Sequence, residues 1–135
     1  MSYEESLKSI SLDADDTIGI YTGVPGLPGS AKPNTGKQYT FVKVTGIHQA
    51  GLAGTGDKVI GVLQNKPQEP GAAATIGFHG VSNVQVGAEF SAGDLITQDA
   101  NGAAITGDST NAVGIALDDG VTVGSIVPVL LTLAS

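Results

Sequence analysis

Twenty glycines cut this 135-residue chain into short runs rich in valine, isoleucine and threonine, and that punctuation narrows the possible folds more than any motif does. β-Branched residues favour strands because the second substituent on Cβ stiffens χ1 and packs well on a pleated surface. A glycine inside a helix costs about 1 kcal/mol relative to alanine, so runs broken this often do not build helices. Strands are read near residues 17–22, 39–45, 58–64, 74–80, 81–86, 94–99, 103–106, 112–117 and 125–133. Short strands at a spacing of about 8–12 residues predict an all-β fold, a small β-barrel or sandwich with Gly-rich turns.

The N-terminal stretch reads differently. Ser2 and Glu5 fit the Ser-x-x-Glu capping box, and Tyr3, Leu7 and Ile10 recur at helical spacing over the first dozen residues. The alternatives are a loose terminus and an arm that orders against a partner. Residues 23–37 then hold three prolines and four glycines, a loop too long for a compact domain unless it contacts something. The chain therefore divides into an N-terminal arm and Pro/Gly-rich loop, residues 1–35, and a β-domain, residues 36–135. Deletion of residues 1–16 is expected to leave that domain folded. Within it, a shift of 53 residues lays 59–63 on 112–116, 72–76 on 125–129, and Gly61 on Gly114, which suggests a duplicated β-unit.

Composition constrains partners. Charged residues make up 14% of the chain, against about 25% in typical soluble domains. So little charge implies a surface partly covered by another protein, through self-association or docking. Net charge is −7, with six lysines and no arginine, which argues against nucleic acid, whose recognition needs a basic footprint. No apolar run approaches the roughly 20 residues that span a bilayer, and the longest, 126–134, is interrupted by Pro128, so no membrane partner is expected. The polar N-terminus MSYEESLKSI is unlike a secretory signal. Cysteine is absent, which excludes disulfides and thiolate metal sites.

The densest cluster of acids is the stretch SAGDLITQDANGAAITGD, residues 91–108. As a calcium loop it fails on ligands: with Asp99 first and Asn101 third, Ala103 stands fifth and Thr110 takes the twelfth position, where a bidentate Glu belongs. Asn101-Gly102 is instead a hairpin signal, expected as a type I′ turn with positive φ at both residues. Asp99 is placed to brace it, Asp94 to open the next strand, and Asp119-Gly120 to form a further turn. A loosely held surface cation is the alternative for these acids. Spread over separate turns, they have no reason to converge as an acid/base pair.

His48 and His79 show no metal-ligand spacing, no GxSxG elbow is present, and GLAGTGDK at 51–58 lacks the phosphate-loop order. Lys58 and Lys66 flank a strand instead of forming the exposed hairpin tip that a biotinyl- or lipoyl-type barrel requires. The chain is thus read as no enzyme, with no catalytic residues, no metal and no cofactor.

The order of the turn signatures carries a resemblance. G-V-x-x-x-x-P-x-x-P-G runs from Gly61 to Gly71, V-x-x-G-x-x-x-x-x-G-D from Val84 to Asp94, and D-x-x-G from Asp99 to Gly102. The closing G-x-A-L and G-x-x-x-x-V begin at Gly114 and Gly124. This order, over Gly36 to Leu131, resembles the small capsid decoration (cement) proteins of tailed bacteriophages, including the family once mislabelled as recombinase-like. The resemblance implies a homotrimer on the outer surface of the expanded capsid in the virion, made in the bacterial cytoplasm, that clamps neighbouring major capsid protein subunits. It also implies an N-terminal segment reaching those subunits, with Leu7, Ile10, Leu12, Ile18 and Tyr21 as contact candidates. A head-fibre or carbohydrate-binding β-module is the alternative, although with no Trp and three Tyr the chain offers little for sugar stacking.

Overall fold

A computed structural model describes residues 7–19, 37–67 and 69–132, and among these residues there is no helix. Nine strands form: β1 (Lys8–Ala14), β2 (Phe41–Gly46), β3 (Gln49–Leu52), β4 (Gly61–Leu63), β5 (Ala73–Gln85), β6 (Leu95–Gln98), β7 (Ala104–Thr106), β8 (Gly114–Ala116) and β9 (Ile126–Leu131). They hydrogen-bond in the order β1-β3-β2-β4-β5-β9-β8-β6-β7, and β1 also pairs with β5. The first half therefore curls back on itself as a partial ring, within the expected all-β class but short of a true barrel.

Three sequence readings are corrected here. Residues 8–14 are a strand, not a helix: β1 makes six antiparallel pairs with β5 and two parallel pairs with β3. Ile10, Leu12 and Ala14 alternate along it, and the ladder offered by β5 outweighs the helical spacing of Leu7 and Ile10. Lys8–Ala14 is thus part of the sheet and not a detachable arm. The capping-box residues Ser2 and Glu5, with Tyr3, lie outside the described residues, as do residues 20–36. Second, Asp16–Ile18 form a turn where a strand was expected, because the Asp15 carboxylate accepts the Thr17 N–H at 2.8 Å. Third, β3 forms where no strand was read.

The strands expected at 74–80 and 81–86 are one strand, β5. Its first part pairs with β1 and β4 and its second with β9. The change of partner falls at Gly80, whose φ of 112° suits a residue without Cβ. A bulge in the β1 pairing lies just before it, which adds to the local twist.

The pairing registers recur along the chain. Val62 opposite Gly77 and Leu63 opposite Ile76 reappear 53 positions later as Ile115 opposite Leu130 and Ala116 opposite Val129. The β2–β3 pairs Val42–Leu52, Lys43–Gly51 and Val44–Ala50 reappear 54 positions later as the β6–β7 pairs Ile96–Thr106, Thr97–Ile105 and Gln98–Ala104. The parallel Ala14–Ala50 pair has its counterpart in the parallel Val86–Ala104 bridge. Gly61 and Gly114 hold matching places. A Cβ on the first would strike the Gly77 carbonyl, and on the second the Val129 side chain.

Two cores result. Val42, Leu63 and Ile76 fill the first ring together with Ile18, which is wholly buried. Ile96, Val84 and Val129 fill the second half, joined by Phe41 and Val62 from the outward face of the first. Each such aliphatic or aromatic side chain contributes roughly 1.5–3 kcal/mol when fully buried.

Candidate functional site

The acids singled out in the sequence occupy turns. Asp94 Oδ2 accepts the Ser91 N–H at 2.9 Å ahead of β6. Asp99 Oδ1 accepts two amides, Asn101 N–H at 2.8 Å and Ala103 N–H at 3.0 Å. The β6–β7 turn is not type I′: among the described non-glycine residues only Tyr39 and His48 have positive φ, so Asn101 does not, while Gly102 has φ 75°. Gly102 N–H donates to the Asp99 carbonyl at 3.2 Å and Asp99 N–H to the Ala103 carbonyl at 2.9 Å. One residue thus takes the left-handed conformation, in the pattern of a three-residue hairpin loop with a glycine bulge.

Asp119 does more than shape its own turn. Its Oδ1 accepts the Ala92 N–H at 2.8 Å, while Gly120 and Phe90 exchange backbone hydrogen bonds of 2.9 and 3.0 Å. The Phe90 ring lies over Gly120, where a Cβ would meet it at 2.6 Å. Asp119 and Gly120 therefore fasten the β8–β9 connection to the segment before β6.

The carboxylates stay apart because each is committed to amides within its own turn or the neighbouring one. Among the described residues, no group of three or more His, Cys, Asp or Glu side chains is placed to hold a metal ion. His48 sits in the β2–β3 turn with φ 53°, and His79 lies exposed on β5.

Asp57, in a Gly-Asp turn, and Asp108, the last acid of the 91–108 stretch, also have close local partners. Asp57 Oδ2 accepts from Lys43 Nζ and from Gly54 N–H, both at 2.8 Å. The ammonium first and the amide second hold its carboxyl below the usual carboxylate range. Asp108 is likewise lowered, first by the Thr110 hydroxyl, then by the Thr110 and Asn111 amides. Asp57, with Lys58 and Val59, lines one side of an open cleft of about 260 Å³, and Gln98, Asn111 and Val113 line the other. The cleft lies below the roughly 300–1,000 Å³ of ordinary ligand pockets, and its lining holds no histidine or cysteine.

The contact candidates are placed unequally. Ile18 is wholly buried in its own core, so it is unavailable to a partner. Leu7 packs half-buried against the second core and Leu12 against the first. Ile10 is exposed, and Tyr21 lies outside the described residues. The larger exposed apolar groups lie elsewhere: Val44 and Ile47 around the β2–β3 turn, and Leu117, Val121, Val123 and Ile126 around the β8–β9 connection. Apolar residues at the ends of short strands gave the only sequence signal for them.

No protein-family model matches the chain, and no curated protein matches it by sequence. Among solved structures it is similar to the head fibre gp8.5 N base of bacteriophage phi29, with a TM-score of 0.64 and 15% identity. The match covers 94% of this chain and 95% of that one. The shared feature is the fold, across nearly the whole of both chains.

Proposed function

We propose that this chain is a non-enzymatic structural protein of a bacteriophage virion: a self-associating, trimeric decoration protein on the outer surface of the expanded capsid. There it would stabilise contacts between major capsid subunits by burying surface across their boundaries. One observation carries the reading: a full-length fold likeness to a protein of a phage head. Composition supports it, since 14% charged residues and exposed valines, leucines and isoleucines suit a surface shared with other proteins.

The same likeness favours a second reading, the base of a head fibre, because that is what the similar structure is. Stoichiometry separates the two. A decoration protein repeats over the capsid lattice in a fixed ratio to the major subunit, whereas a fibre base occupies fewer attachment points. The test is co-sedimentation with procapsids and with expanded capsids of the phage that encodes the chain, followed by quantitation. Lattice-like occupancy on expanded shells alone is the expected result, sparse occupancy selects the fibre base, and no binding to either shell removes both.

A further inference from the structure

The recurring registers allow the two halves to be compared position by position, and the comparison exposes one asymmetry. On the first half, Phe41 and Val62 point away from their own ring and are wholly buried against the second half. The equivalent residues of the second half, Leu95 and Ile115, are only half-buried and belong to neither core. They lie in one cross-strand row with Leu130 and Val81, since Leu95 pairs with Ile115, Ile115 with Leu130, and Leu130 with Val81. Exposed Leu117 and Ile126 stand along the same chain segments, two residues past Ile115 and four before Leu130, and none of the six carries a charge.

The element that covers the first-half face has its own counterpart. Gly102, in the β6–β7 turn, packs on Leu52 and Thr40 and accepts the Phe41 N–H at 2.8 Å through its carbonyl. Gln98, at the mouth of that turn, donates to the Gly54 and Asp57 carbonyls at 2.9 and 3.0 Å. Fifty-four positions earlier stand His48, in the β2–β3 turn, and Val44, near the end of β2. His48 repeats the left-handed backbone of Gly102, with φ 53° against 75°. The polar Gln98 is replaced by exposed Val44, and Asn101 by Ile47, which is 93% exposed. An isoleucine held out at a turn tip and an uncharged apolar row are two unpartnered surfaces of matching chemistry among the described residues. Within one copy the same pair of elements already forms an interface.

We propose that a second copy of this chain occupies the row. The β2–β3 turn of one copy, through Val44 and Ile47, docks on the β6–β8–β9 face of the next, around Leu95, Ile115 and Leu117. The contact is head-to-tail, so it closes into a ring if the rotation allows and otherwise extends. Besides these side-chain replacements, it differs from the internal interface in its backbone. The His48 carbonyl already accepts the Asp13 N–H at 2.7 Å, so the contact between copies is made by side chains. The inference deepens the self-association in the proposed function and is independent of capsid attachment.

Ile47→Asp and Leu117→Asp each remove one side of the contact at an exposed position, so both variants keep the fold, checked by circular dichroism. Mass in solution is measured by sedimentation equilibrium for the full chain, each variant and their 1:1 mixture. The expected result is an oligomeric parent, two monomeric variants, and a mixture that recovers a two-chain complex, because one intact turn meets one intact face. A monomeric parent, unchanged oligomers in either variant, or a mixture that stays monomeric overturns the proposal. Capsid co-sedimentation of the parent is scored separately. A monomer that still pellets with expanded shells sinks this interface and leaves the decoration reading standing.

Discussion

Gly61 shows how little room a single position leaves. Its missing side chain lets β4 lie against the Gly77 carbonyl of β5. Gly61→Ala is expected to destabilise the fold by about 1–3 kcal/mol, in the range of core overpacking, read as a lower urea midpoint. An unchanged midpoint would show that β4 shifts freely. Asp57 gives a pH prediction. Its pKa is lowered in the fold, so the Lys43 and Gly54 interactions contribute fully above the unfolded value of about 4. They are lost as pH falls through the lower folded value. Urea midpoints measured from pH 7 to pH 3 should fall at the acid end, and Asp57→Asn should flatten part of that fall. Turn acids such as Asp94 and Asp99 were legible in the sequence because their carboxylates act on amides within four residues. The conformation of Asn101 was not, since a dipeptide signal cannot tell a two-residue turn from a longer one with one left-handed glycine.

At the scale of elements, the apolar runs were found, short ones included, and β3 was missed. β9 and the second part of β5 have alternating burial over six residues, which is a readable pattern. β3 has four residues, one of them glycine, and its place is fixed by β2 and β1 on either side of it. β1 was misread for the opposite reason: a locally helical spacing was overridden by a ladder formed with residues 60 to 71 positions away. The ladder bears on the expectation that deleting residues 1–16 leaves the β-domain folded. Removal of residues 1–14 strips one edge of β5 and uncovers Ala74 and Ile76. The truncated chain should lose its cooperative transition, or unfold at a markedly lower temperature in calorimetry. A truncation with the parent's melting profile would show that β1 adds little.

On the scale of the whole molecule, the second half does not own its interior alone. Phe41 and Val62 of the first half sit in the second core, and Gln98 of the second half is anchored to carbonyls of the first. Unfolding followed by far-ultraviolet circular dichroism and by tyrosine fluorescence should therefore give coincident transitions. Tyr39, packed on the second core, would report any earlier loosening there. Two separated transitions would mean that the halves are energetically independent. The repeat of registers was faintly visible in the sequence as an offset of glycines, whereas the asymmetry between the halves was not, because it depends on which face of each sheet is covered.

β5 also has a mechanical meaning. Its 13 residues form one unbroken covalent member that both halves grip along different stretches. A tensile load entering through one half reaches the other along this strand, with the β1 and β9 ladders loaded in shear, so that many hydrogen bonds must yield together instead of unzipping one at a time. A molecule built this way resists being pulled apart at its middle. Its weak points under tension are the short pairings away from that strand: the two β1–β3 pairs in the first half and the β6–β7 edge in the second.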